Sequence, residues 1–326
     1  MRNLRLVAAA ALAVVSLTAC GGNQEAAQPE QSQTRVFKAD NGDITIPAKP
    51  KKVVATGYAV AALLEADAPL VGISEFKRAV PMYSDAHKKK YQELPKVAGE
   101  LAKETNYEEI AKLDPDLIVL GVPKPALADI DMKKLTDIAP VVAIGPGVPS
   151  AWREVSRKQA DAAGALGKFD ETKAAYQKKA DELKKKYADV LPKVKMGHVG
   201  SYGEVAKGNF MNEFNGSWGT SIANDIGANY GEGAKAEGAK GVSEYPSIEQ
   251  LTEKFKDAAI LTYSNGPDGN PNAAVKYVLD NPLWKELPAV KDNKAFGFSF
   301  TEASTFQEAL KTLDSIDKAL APLLKK

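Results

Sequence analysis

The sequence predicts an α/β protein made of two Rossmann-like lobes, each on a mainly parallel sheet, joined by one long α-helix. Three observations predict it. Short β-branched or apolar runs alternate with helical patterns on both sides of the chain's middle. The middle is a long amphipathic stretch without strand character. A helix–strand pattern occurs twice, once on each side of that stretch.

The chain opens on Arg2 and Arg5, then an almost wholly apolar run from Leu6 to Leu17. A leader's apolar core is about 7–15 residues, too short for the roughly 20 that span a bilayer. Leu17-Thr18-Ala19-Cys20 follows, and Cys20 is the single cysteine of the 326 residues. It stands just after the small residue where cleavage is expected, and the tetrapeptide resembles the bacterial lipobox. That resemblance implies a leader over residues 1–19 and acylation of Cys20, which would hold the domain on the extracytoplasmic face of the cell membrane. Residues 20–33 are small and polar, bury too little surface to fold, and read as a tether.

Residues 34–168 are the expected N-terminal lobe, 169–191 the bridging helix and 192–326 the C-terminal lobe. No second apolar run is long enough to span a membrane. The charge is balanced, with 43 Lys and Arg against 42 Asp and Glu, which argues against a nucleic-acid partner. Without a second cysteine there is no intramolecular disulfide.

Candidate strands are Lys52–Thr56, Leu70–Ile73, Asp116–Gly121, Val141–Gly145, Lys195–Ser201, Ala258–Tyr263 and Ala295–Phe300. Helical patterns fall at Ala59–Glu65, Tyr107–Leu113 and Ile248–Phe255. Residues 151–166 read as one helix and Asp170–Val190 as the longer one. In the latter, Tyr176, Ala180, Leu183, Tyr187 and Val190 share a face. Asp170 and Glu171 at its start and Lys184–Lys186 at its end suit the helix dipole, and Pro192 stops it. About 20 residues at 1.5 Å each span roughly 30 Å, enough to bridge two lobes.

The duplicated pattern runs from Asn106 to Leu120 and from Ser247 to Leu261 without gaps. Asn106 and Ser247 are good N-caps, which places Glu109 and Gln250 as capping-box partners and leaves Glu108 and Glu249 without that structural task. A cap at Thr105 would instead make Glu108 the partner.

Asn106-x-Glu108-x-Ile110-x-x-Leu113-x-Pro115-Asp116-Leu117-Ile118 resembles the signature of periplasmic-binding-protein-like receptors for iron–siderophores, haem and cobalamin. So do Ile46-Pro-Ala-Lys-Pro-Lys-Lys-Val-Val54, Pro69-Leu-Val-Gly-Ile73, and Pro282-Leu-Trp284 with Leu287-Pro-Ala-Val290 and Asn293-Lys-Ala-Phe296. The resemblance covers residues 36–321. It implies a ligand in the cleft between two lobes and delivery to an ABC permease dimer with its ATPase subunits. One glutamate per lobe would dock on permease arginines; by motif these are Glu108 and Glu249. The expected ligand is a ferric siderophore, with a lean toward hydroxamates, bound by a monomer. The chelator holds the iron, so neither a cofactor nor a direct metal ligand is expected. Haem or cobalamin is the alternative ligand, with Tyr58, Tyr83 and His87 open as haem ligands. An adhesion or structural lipoprotein is the alternative class.

Ligands of open α/β sheets bind beyond the carboxyl ends of the strands. Those loops carry Tyr58, Arg78, Tyr83, Trp152 and Arg153 in the first lobe, and Tyr202, Trp218, Tyr263 and Phe300 in the second. Aromatic rings cover a bulky chelate, and arginine donates to its oxygens in a planar fork. Two family positions differ: Gly99-Glu-Leu-Ala102 stands where hydroxamate receptors place an arginine, and Val122-Pro-Lys-Pro125 where they place a tyrosine. Bare-metal capture is disfavoured, because His87 and His198 are the only histidines and fall in different lobes. Gly219-Thr-Ser-Ile-Ala223 lacks the second glycine of a nucleophile elbow, so Ser221 is read as part of a turn and no enzyme is expected.

Overall fold

The computed structural model describes residues 33–202, 205–233, 235–236 and 239–324; the leader, Cys20 and most of the tether lie outside the described residues. The described chain begins with a hairpin, β1 (Thr34–Ala39) and β2 (Gly42–Pro47), turning at Asp40-Asn41. Then come β3 (Val53–Gly57), α1 (Tyr58–Glu65), β4 (Leu70–Ser74), α2 (Asp85–Glu93) and β5 (Lys96–Ala98). They are followed by α3 (Tyr107–Lys112), β6 (Leu117–Gly121), α4 (Met132–Thr136) and β7 (Val141–Ala143). The strands assemble in the order β5-β4-β3-β6-β7, every pair parallel.

Next, α5 (Trp152–Ala162) is separated from α6 (Leu166–Lys186) by Gly164, whose φ of 66° ends the first helix. The second half holds β8 (Met196–Val199), β9 (Asn212–Glu213), α7 (Ser221–Asp225) and two short paired strands, β10 (Lys235–Ala236) and β11 (Ala239–Lys240). It continues through β12 (Ser243–Glu244), α8 (Leu251–Phe255), β13 (Ile260–Asn265), α9 (Ala273–Asp280) and α10 (Pro282–Glu286). The last elements are α11 (Pro288–Lys291), β14 (Ala295–Ser299) and α12 (Phe306–Leu320). This sheet has the order β12-β9-β8-β13-β14. Its β8–β13 and β13–β14 pairs are parallel, but β8–β9 and β9–β12 are antiparallel. The expectation of mainly parallel sheets therefore holds for the first lobe, while the second is mixed.

The long helix runs from Leu166 to Lys186, not from Asp170 to Val190. Phe169, 2% exposed, extends its buried stripe toward the N-terminus, and Asp170 and Glu171 are not its opening turn. Lys184, Lys185 and Lys186 do form its last turn. The helix packs on α5 and on α12. One continuous hydrophobic core runs from Val53 and Ile73 through Trp152, Tyr176 and Phe306 to Met196 and Ile260, so both sheets share it. Each sheet covers its other face with a separate cluster.

Buried carboxyls mark the seam where α12 meets the first lobe. Glu65 accepts from the Gln307 N–H at 3.0 Å, and Glu308 from the Ser304 N–H and hydroxyl at 2.7 and 3.0 Å. Burial pushes both carboxyls from 4.5 up to about 7. The unfolded chain releases these protons first as pH rises, so their stabilisation is complete below about 4.5 and is lost as pH climbs through about 7. We expect Glu308→Gln to flatten the fall in melting temperature between pH 5 and pH 8, removing about 1–3 kcal/mol of pH dependence. Parallel wild-type and variant curves in calorimetry would refute this.

Candidate functional site

A topological switch point arises where successive connections leave a strand in opposite directions across the sheet. In the first sheet the chain steps from β3 to β4 on one side and later to β6 on the other, so the switch lies beyond Gly57 and Gly121. These glycines permit a close approach. A Cβ on Gly57, at φ 57°, would meet the Gly121 carbonyl oxygen at 2.6 Å, and one on Gly121 would meet the Ala59 nitrogen at 2.1 Å. The Gly57 N–H also donates to Ser74 Oγ at 2.9 Å, tying the ends of β3 and β4. A cavity of about 320 Å³ opens here, lined by Tyr58, Phe76, Glu100, Leu101, Val122 and Pro123 among others. In the second sheet the switch lies between β8 and β13. A second cavity of about 320 Å³ opens beyond those strands, lined by Ser201, Asn265, Asn272, Phe300 and Glu302, with Arg78 from the first lobe.

An aromatic platform stands between the cavities. The Tyr58 and Trp218 rings, from opposite lobes, stack at 6.0 Å with planes 6° apart, and Phe76 tilts against Tyr58 at 5.4 Å. The Arg78 guanidinium lies 4.5 Å from the Tyr58 ring centre, 4.8 Å from Phe76 and 5.7 Å from Trp218. It crosses to the other lobe as an ion pair with Glu302 at 3.2 Å. The Phe76 backbone is held by its N–H donating to Tyr91 Oη at 2.9 Å, and Tyr91 donates on to Glu75 at 2.6 Å. Phe300 has a φ of 63°, costly for a bulky side chain, at the lip of the second cavity.

Of the nine cleft candidates, Tyr58, Arg78 and Phe300 line these cavities, while Trp218, 7% exposed and part of the shared core, stacks on Tyr58. Tyr202, in the loop after β8, is half-buried, and its hydroxyl meets Ser243 and Ser217 at 3.2 and 3.4 Å. Three aromatic candidates are core instead. Tyr83 is 3% exposed, packs on Tyr91, and its hydroxyl is pushed well up by burial. Trp152 is 1% exposed and lies edge-on to Phe306 at 4.9 Å. Tyr263 sits edge-on to Trp284 in the outer cluster of the second lobe. Arg153 faces a different cavity, lined by helices: it pairs with Asp225 at 2.5 Å, and Asp225 also accepts from Tyr176. Sequence reasoning missed Phe76, Asn265 and Glu302. Phe76 lies two residues past β4, the same kind of position that pointed to Tyr58.

Glu108 and Glu249 are both exposed, and no ion pair holds either among the described residues. Asn106 is the cap of α3, accepting from the Glu109 N–H at 3.1 Å, so the Thr105 alternative does not apply. The capping box stays open, because the Glu109 carboxylate pairs with Lys112. Ser247 accepts from the Glu249 N–H rather than from Gln250, since this helix starts with a 3₁₀ turn. His198 is fully buried between Thr262 and Ser264, at 2.7 and 3.0 Å, and burial pulls its imidazole down to about 3. His87 is half-buried on α2, and burial lowers it too. The Ser221 hydroxyl is buried with no hydrogen-bond partner among the described residues, so no base activates it.

Residues 53–299 match the family model described as periplasmic binding protein. The iron(3+)-hydroxamate-binding protein YxeB of Bacillus subtilis (strain 168) is 28% identical over 303 residues, covering 90% of this chain and 88% of that protein. The iron(3+)-hydroxamate-binding protein FhuD of the same organism is 27% identical over 320 residues, covering 93% of each. The siderophore periplasmic binding protein from the fuscachelin gene cluster of Thermobifida fusca has a TM-score of 0.68 at 25% identity, covering 85% of this chain and 98% of its own. A whole-domain sequence match and two switch-point cavities beside one aromatic platform agree: the chain belongs to the periplasmic binding protein family, whose members bind substrates rather than transform them.

Proposed function

We propose that this protein is the substrate-binding component of an ABC importer and captures a ferric siderophore, of hydroxamate type, between its lobes. The observation that carries this reading is the Arg78 guanidinium, seated on three aromatic rings, two of which line the first switch-point cavity, and itself lining the second. The rings cover an apolar chelate backbone, and the free guanidinium N–H groups donate to its iron-bound oxygens. The chelator supplies every iron ligand. Two named relatives bind iron(3+)-hydroxamates, which supports the ligand class. Haem fits less well, since the Tyr83 hydroxyl is buried and Tyr58 is committed to the stack.

Titrating the protein with ferric hydroxamates, ferric catecholates, ferric citrate, haem and cobalamin tests the reading. Saturable quenching of tryptophan fluorescence by a ferric hydroxamate, absent with its iron-free form, is expected. Trp218 is the tryptophan that stacks on Tyr58 beside Arg78, so Trp218→Phe removes most of the quenching. Binding of haem or cobalamin alone overturns the ligand class.

Delivery rests on Glu108 and Glu249, exposed at equivalent helix starts of the duplicated pattern. Acylation at Cys20 holds the receptor beside its permease. Reversing both charges, Glu108→Lys with Glu249→Lys, is expected to cut cellular uptake about tenfold or more while chelate binding in vitro is kept. Uptake equal to wild type would remove the docking role.

A further inference from the structure

Among the described residues lining the two cleft cavities there are two cations, Arg78 and Lys103, and three carboxylates, Glu100, Asp129 and Glu302. Lys103 is exposed at the rim, so Arg78 is the cation held against the platform. Its charge is already answered from the opposite lobe by Glu302 at 3.2 Å. We propose that Glu302 is a specificity-determining residue, a charge filter that makes the cleft select ferric complexes without net negative charge.

The inference rests on the siderophore reading and narrows it. Three hydroxamates, each a monoanion, cancel the charge of ferric ion, whereas three catecholates, each a dianion, leave a trianion. A guanidinium has five N–H donors in a planar fork. Glu302 occupies one edge through Arg78 Nη1, so the remaining donors reach a neutral chelate's oxygens with the ion pair intact. A trianion seated on the same platform lies against the Glu302 carboxylate. Like charges brought together in a partly dehydrated cleft oppose binding, and this repulsive element discriminates between ligands of similar shape. Glu213, fully buried, already feels the same field. Its carboxyl is pushed up to about 7, first by burial and further by the charge of Glu302. The cation count points the same way, because no further described lysine or arginine lines either cavity to balance a trianion.

The test titrates the purified full chain, and its Glu302→Gln and Glu302→Asp variants, with a ferric tris-hydroxamate and a ferric tris-catecholate. Tryptophan fluorescence gives both affinities. The ratio of catecholate to hydroxamate affinity is expected to rise about tenfold or more in Glu302→Gln. In Glu302→Asp, which keeps the charge, the ratio stays near wild type. An unchanged ratio in Glu302→Gln overturns the filter, as does wild-type preference for the tris-catecholate, and both leave the siderophore reading standing. If the folded wild type binds neither chelate, the siderophore reading falls and the filter with it.

Discussion

Arg78→Ala should weaken chelate binding by about ten- to a hundredfold. A hydrogen bond to a charged group contributes about 1.5–3 kcal/mol, and each 1.4 kcal/mol is tenfold in affinity. The side chain loses its donors and its stacking on Tyr58, Phe76 and Trp218 together. Removing it also leaves Glu302 without its partner in the second cavity, and that uncompensated carboxylate faces the chelate's oxygens. Arg78→Lys should recover little, because an ammonium cannot keep the planar fork while lying flat over the rings. Fluorescence titration measures both variants, and calorimetry checks that they fold. Affinity within about twofold of wild type in folded Arg78→Ala would move the ligand away from this platform, since even one neutral hydrogen bond is worth about 1 kcal/mol.

Trp152→Ala should lower stability by about 3–5 kcal/mol, the cost of truncating a fully buried large aromatic. The ring meets Phe306 at 4.9 Å and Tyr176 at 6.2 Å, both nearly edge-on, where α5, α6 and α12 converge. The melting temperature is expected to fall by about 6–15 °C. Because the core around Trp152 is continuous with both sheets, the loss should appear as one shifted calorimetric transition rather than the melting of a single lobe. Trp152→Phe should retain most of the stability and leave chelate affinity unchanged. Loss of affinity in that conservative variant would return Trp152 to the binding site.

The duplicated pattern explains why so much of the frame was legible. Asn106–Leu120 and Ser247–Leu261 both fold as a short helix feeding the strand that crosses the switch, β6 in one lobe and β13 in the other. Burial of Ile110 and the buried run Leu117–Gly121 are settled within a turn or a strand, and short-range pattern encodes them. The antiparallel edge was not legible for the opposite reason. β9 is two residues long and buries Asn212 and Glu213, so no hydrophobic alternation announces it. Only the pairing of His198 with Glu213 and of Ser243 with Glu213 makes a strand there.

The candidate site divides along the same line. By itself the sequence determined the strand–helix alternation, the long middle helix, and the set of aromatics and arginines near strand ends; the choice between Asn106 and Thr105 as the cap before Glu108 was settled only by the structure. Tertiary structure decided which of those side chains line the cavities at the switch points. Trp152 and Trp218 are the same residue type and both are buried, yet one packs under Phe306 and Tyr176 and the other stacks on Tyr58 from the opposite lobe. Burying an aromatic ring is favourable in either place, so local composition does not distinguish them. The distinction comes from what the distant chain brings alongside: Phe306 from α12 over Trp152, and Arg78 with Glu302 from opposite lobes beside Trp218.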